Sequence, residues 1–277
     1  MADRPTATPA RRPAAHPWLE HTGPLAFAHR GGTESAPENS LAAFAAAVSV
    51  GFRYLETDVH LTVDGVVVAT HDERLERVAD AGGAIAEMTW SEVRRARLGG
   101  TEPIPTFEEL LEAFPHQRFN VDPKSDAVVD ALVATLVRLD AVHRVCIGAF
   151  SDERLARVRT ALGPDVCTSA GPRETARLVA ASKVPGAARR AGAGRTGYQC
   201  LQVPVRHRGV ELVTRRFVET AHARGAQVHV WTIDDPAEMH RLLDLGVDGL
   251  MTDRPSVLRS VLEARGEWRP PGAPPTP

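Results

Sequence analysis

Eight short, apolar, β-favouring runs recur along the chain, and each is followed by a segment of helical period. That alternation constrains the fold more than any other feature. Parallel strands need crossover connections, so strand-helix repeats read as a parallel α/β architecture. The runs are Leu25 to His29, Tyr54 to Leu61, Phe119 to Val121, Arg144 to Phe150, Val166 to Ala170, Cys200 to Val205, Gln227 to Ile233 and Gly249 to Thr252. Between them lie expected helices at Asn39 to Val50, Thr106 to Ala113, Asp126 to Leu139, Asp152 to Leu162, Arg173 to Ala181, Thr214 to Ala223, Pro236 to Leu245 and, after the last run, Ser256 to Glu263. Gly51, Gly163-Pro164, Gly225 and Gly246 stand where helices stop. Asp64-Gly65 predicts a hairpin into Val66 to Ala69. A longer excursion, Asp72 to Gly100, contains Gly82-Gly83 and an expected helix near Ser91 to Arg97. An open doubly wound sheet is the alternative. The count of eight, and the lack of a Gly-rich nucleotide loop, favour a closed (β/α)₈ TIM barrel with a short insertion after strand two.

The barrel domain is set at residues 24–266. Residues 1–23, rich in Pro, Ala and Arg, read as a disordered leader, and residues 267–277 as a disordered Pro-rich tail. The leader has no apolar core of the secretory kind, and no run reaches the length of a membrane span. No stable membrane insertion is expected. A formal charge of -2 argues against a nucleic-acid partner. The three cysteines, Cys146, Cys167 and Cys200, lie in apolar stretches and no pair has metal-ligand spacing. They read as reduced core residues, which favours a cytoplasmic location. Oligomeric state is not legible. Residues 184–197, rich in Gly, Ala and Arg, carry no argument for a loop or an interface.

Polar residues gather at the C-terminal ends of the runs, which in a barrel meet at one rim. The first run ends His29-Arg30-Gly31, the second carries Glu56 and Asp58, and the hairpin ends His71-Asp72. The third run leads into Asp122-Pro123-Lys124, a later one ends near Gln202, and another contains Trp231. Glu56 and Asp58, two apart on a strand, share a face. Two carboxylates side by side repel unless a proton or cation lies between them. One hard divalent ion, Mg²⁺ or Ca²⁺, resolves the repulsion, with Asp122 as a third oxygen ligand. Ion pairing with Arg30 or Arg53 is the alternative. His29 and His71 are the natural acid-base pair near neutral pH. Arg30 and Lys124 supply positive charge for a phosphate, or else pair with the acids. His60 is expected to point away from the carboxylates. His207 and His229 receive no role.

The residues in this order resemble the glycerophosphodiester phosphodiesterase family. Ala28 to Val78 carries His-Arg-Gly, Pro-Glu-Asn-Ser, Glu-x-Asp, Thr-x-Asp-Gly and His-Asp, and the segments VWTIDD and GVDGLMTDRP are also similar to that family. The resemblance covers Leu25 to Pro255, more loosely from Asp140 to Gln199. It implies a TIM barrel that cuts small-molecule glycerophosphodiesters to an alcohol and sn-glycerol 3-phosphate with a divalent cation. His29 and His71 would be catalytic, and Glu56, Asp58 and Asp122 would bind metal. Arg30, Lys124 and Trp231 would meet the substrate. The family's third strand commonly carries Glu-x-Lys, where this chain has Asp122-Pro123-Lys124. Glu38 would brace the His29-Arg30 segment or the phosphate-binding arginine. Attack by the neighbouring glycerol hydroxyl, through a cyclic phosphate, and direct attack by water both remain open. A short insertion with few aromatic residues favours small soluble diesters. A lysophospholipase D or sphingomyelinase D-like activity on lipid would use the same residues. A non-catalytic barrel that binds phosphodiester or metal is the reading of another class.

Overall fold

The computed structural model describes residues 15–184 and 196–269. Residues 1–14 of the expected leader, 185–195 of the Gly/Ala/Arg-rich stretch and 270–277 of the expected tail lie outside the described residues. The eight expected strands are present: β1 Leu25–Ala28, β2 Tyr54–Leu61, β3 Arg118–Pro123, β4 Val145–Ile147, β5 Cys167–Thr168, β6 Cys200–Pro204, β7 Gln227–Trp231 and β8 Gly249–Thr252. All pair in parallel, in the order β5-β4-β3-β2-β1-β8-β7-β6. Between β5 and β6 the circuit is completed by the single bridge Ser169–Cys200. Two backbone hydrogen bonds mark this seam, Ala170 N to Cys200 O at 2.8 Å and Gln199 N to Thr168 O at 3.0 Å. The chain is a TIM barrel.

Each strand feeds a helix: α1 Leu41–Ser49, α2 Phe107–Ala113, α3 Val128–Arg138, α4 Asp152–Leu162, α5 Pro172–Ser182, α6 Arg215–Ala223, α7 Pro236–Leu245 and α8 Pro255–Ala264. The helix starts follow local chemistry. The Ser40, Thr106, Ser151, Thr214 and Asp235 side chains accept from the first free N–H groups. The outward residues of the strands, such as Ala26, Leu55, Val121, Leu201 and Val228, pack with the helices into one apolar layer.

The inward residues alternate with these and form three tiers. The lowest is aromatic and sulfur-rich: Leu25, Phe27, Tyr54, Cys146, Cys167, Cys200 and Met251. Above it, Gln202 Nε2 donates to Asn120 Oδ1 at 2.6 Å, an amide bridge from β6 to β3. Gly148 makes room for it, because a Cβ there would stand 2.6 Å from Gln202 Oε1. The top tier carries the acids.

Two expected disordered segments are packed where they are described. Trp18 and Leu19 are buried and belong to the lowest tier. The Trp18 indole donates to Arg144 O at 3.0 Å, and the Tyr54 hydroxyl donates to Trp18 O at 3.0 Å. A large indole with a partner for its N–H gains from filling the barrel's lower end, which a reading of Pro/Ala/Arg content overlooks. Trp268 likewise packs on Phe52, with ring centroids 5.5 Å apart.

The insertion after β2 begins with the expected hairpin, whose return strand is Val67–Ala69. It has its own small core of Val68, Leu75, Ile85, Val93, Ala96, Leu98 and Ile104. Its helix is shorter than expected, Trp90–Val93.

Candidate active site

The loop after β1 turns sharply. Arg30 has φ 52°, and Gly31 and Gly32 follow at 84° and 85°. Gly31 is required twice over: its φ is positive, and a Cβ would lie 2.9 Å from Phe44 N. The turn directs the Arg30 N–H to Glu56 Oε2 at 3.0 Å and brings His29 Nε2 to 3.8 Å from the same oxygen. His29 Nδ1 sits 2.7 Å from Asp253 Oδ1. Asp253 is itself placed by Asp234, whose Oδ1 accepts from Asp253 N and the Thr252 hydroxyl, each at 2.8 Å. A proton on Nδ1 held by Asp253 leaves Nε2 facing the carboxylates.

Glu56, Asp58 and Asp122 are buried. Asp58 and Asp122 are register partners on adjacent strands. Burial first, and then the Asp58 charge, push the Glu56 carboxyl up to about 7. Burial alone would lower the pKa of His29, but the Glu56 charge and then Asp253 outweigh it, and the imidazole is raised. Lys124 Nζ lies 2.6 Å from Asp58 and 2.8 Å from Asp122. Burial works against its charge, and the two acids raise it nonetheless. Burial also raises Asp122 despite Lys124. Lys124 and Arg30 thus lie on the acids: Arg30 Nε is 3.3 Å from Asp58, and its Nη1 donates to Glu38 at 3.0 Å. The pairing alternative describes their positions here.

Just past the hairpin's return strand, His71 Nδ1 is 2.6 Å from Asp72 Oδ1. Arg77 of the insertion donates to Asp72 Oδ2 at 2.5 Å and to Glu38 Oε1 at 2.7 Å. These contacts hold the Asp72 carboxyl well below the usual range, chiefly through Arg77. Glu38 joins Arg30 to Arg77, so the segments that carry the two histidines are tied by one chain of charges. The expected bracing role of Glu38 therefore has a partner, Arg77, that the motif reading missed. His60 also corrects an expectation. Residues 56, 58 and 60 alternate in step, so His60 shares their parity, is buried, and has Nε2 3.0 Å from His71 O.

The acids are oxygen donors of the kind a hard cation takes. Asp58 Oδ2 is buried without a hydrogen-bond partner, despite the neighbouring Arg30, and an orphaned carboxylate oxygen beside a second buried acid invites a cation. Glu56, Asp58 and Asp122 do not converge as a trio to within 4.8 Å; among the described residues only a sulfur group deeper in the barrel does so. Lys124 stands between Asp58 and Asp122. Trp231 is half-buried, as a pocket wall requires, and Phe150 meets it edge-on at 5.8 Å. Since β4 and β7 lie three strands apart in the ring, that contact crosses the mouth.

A parallel barrel with buried acids and two carboxylate-held histidines at its C-terminal mouth has the layout of a TIM-barrel enzyme. Comparison with known proteins narrows the class. Residues 29–257 match the Glycerophosphoryl diester phosphodiesterase family, and the chain belongs to that family. The Mycobacterium tuberculosis protein named "Probable glycerophosphodiester phosphodiesterase 2" is 44% identical over 254 residues, 91% of this chain and 95% of its own. A Silicibacter pomeroyi crystal structure, of a "Putative glycerophosphoryl diester phosphodiesterase", aligns with TM-score 0.74 at 26% identity, covering 90% of this chain and 97% of that one. An Oleispira antarctica phosphodiesterase, solved in complex with the product sn-glycerol-3-phosphate, shares the fold with TM-score 0.71 at 24% identity, covering 87% and 97%. The chain is a phosphodiesterase of this family.

Proposed function

We propose that the protein hydrolyses small glycerophosphodiesters to sn-glycerol 3-phosphate and an alcohol, with His29 and His71 as the acid-base pair. The observation that carries this reading is the matched pair of histidines, each holding a carboxylate on Nδ1, with the His29 ring beside the buried Glu56. Glu56 and Asp58, with Asp122, would hold one Mg²⁺ or Ca²⁺. When bound, the ion stabilises charge on the phosphate oxygens. One histidine removes a proton from the nucleophile, and the other donates a proton to the leaving oxygen. Asp253 and Asp72 fix the rings so that Nε2 does this work. Arg30 and Lys124, which lie on the acids here, would offer their charge to the phosphate. Two aromatic rings across the mouth, Phe150 at 69% exposed and Trp231, offer a compact surface for the leaving head group.

The test is release of glycerol 3-phosphate from glycerophosphocholine by metal-stripped protein, with Mg²⁺ or Ca²⁺ restored, beside His29→Ala and His71→Ala. Release that needs the ion and both histidines is expected. Release indifferent to either histidine would overturn the assignment.

A further inference from the structure

Below the mouth, the barrel holds a second set of ligand-type side chains. Cys146 of β4, Cys167 of β5 and Cys200 of β6 all point inward and are fully buried. Their sulfur atoms lie within 4.8 Å of one another, and Cys146 and Cys200 are 3.9 Å apart. All three are free thiols. Sulfur ligands about 2.3 Å from a tetrahedral ion stand roughly 3.8 Å apart. The trio is close to that spacing before any ion draws it together.

His229, the neighbour on β7, is fully buried. Its Nε2 lies 3.0 Å from Gln227 Oε1, an acceptor, so Nε2 carries the proton. Nδ1 is then a bare lone pair, and it has no hydrogen-bond partner. A buried ring nitrogen without a partner is costly. An imidazole whose other N–H is held by a carbonyl is also how a metal-binding histidine is oriented.

We propose that Cys146, Cys167 and Cys200 form a buried site for a soft divalent cation of the Zn²⁺ class, with the unpartnered His229 Nδ1, which stands outside the 4.8 Å group, closing on the ion as fourth donor. The site is distinct from the oxygen-lined mouth. Binding releases the three thiol protons to solvent and leaves a net charge of one minus, which the nearby Arg118 offsets. The four donors come from β4, β5, β6 and β7. They span the seam where β5 and β6 meet through one bridge. The ion therefore staples the least-paired part of the ring and raises stability without entering the reaction.

The experiment uses the full chain, refolded under reducing conditions with Co²⁺ or Zn²⁺ so that access past Trp18 does not limit loading. Glu56→Gln/Asp58→Asn removes the acids of the mouth from the measurement. One ion retained per chain is expected, with thiolate-to-Co²⁺ charge-transfer absorption and a raised Tm. Cys200→Ser and His229→Gln should each weaken retention at least tenfold. Absence of the charge-transfer band in the protein with native cysteines would overturn the site, and that reading does not depend on any cysteine variant folding. So would a band unchanged by Cys200→Ser, or retention lost only with the mouth acids.

Discussion

The two ends of this barrel are built from the same strands and obey opposite rules. At the lower end, inward positions carry Phe27, Tyr54, the cysteines and the Trp18 plug, and their polar atoms are nearly all matched. At the upper end, two to four residues further along the same strands, inward positions carry Glu56, Asp58, Asp122 and Trp231, and an acid oxygen is left unmatched. Alternation supplies both ends with inward side chains, and the difference lies only in which residues occupy them. Stability is concentrated where donors and acceptors close, and chemistry where they do not.

Four measurements sharpen that contrast, in descending order of expected effect. Asp253→Asn at the mouth should reduce kcat by between ~10² and ~10⁴-fold while Tm hardly moves, because it disorients an acid-base histidine and removes little packing. A matching loss of Tm would mean that the mouth is structural too. Trp18→Ala at the base should cost about 3–5 kcal/mol in urea unfolding and leave kcat of the folded fraction intact. Equal loss of activity would break the division.

The third measurement is pH dependence. Glu56 is raised in the folded state to about 7 from an ordinary 4.5. The folded protein therefore binds the extra proton across that interval. Without a divalent ion, stability should fall as pH rises from 4.5 to 7 and then level. Mg²⁺ or Ca²⁺ should raise Tm more at pH 8 than at pH 5, and Glu56→Gln should flatten the metal-free profile. A metal-free Tm rising over that interval, unaltered by Glu56→Gln, would contradict the burial argument. Smallest, Phe150→Ala should raise KM for a choline diester about fivefold, the scale of one exposed cation–π contact. The KM for an uncharged head group should stay unchanged.

Much of the upper end was legible in sequence because its residues are close in the chain. Glu56-x-Asp58, His29-Arg30-Gly31 and His71-Asp72 each declare a spacing, and the eight repeats declared the barrel. Asp253 and Arg77 were not legible as partners, since one arrives from the last strand and the other from the insertion. The thiol group was hidden for the same reason: Cys146, Cys167 and Cys200 are far apart in sequence and meet only because the ring closes. Trp18 was obscured by its neighbours' composition. One aromatic residue among prolines and alanines does not alter a compositional reading, yet it fills the base of the barrel.

The chain of charges from Arg30 through Glu38 and Arg77 to Asp72 has a consequence for exchanging substrate preference between relatives. The insertion is not a free-standing module that can be transplanted to import a new specificity. It carries the guanidinium that steadies both histidine-bearing segments. A graft that changes its length while omitting an arginine at the equivalent of Arg77 would exchange the insertion and detune the proposed acid-base pair in the same stroke.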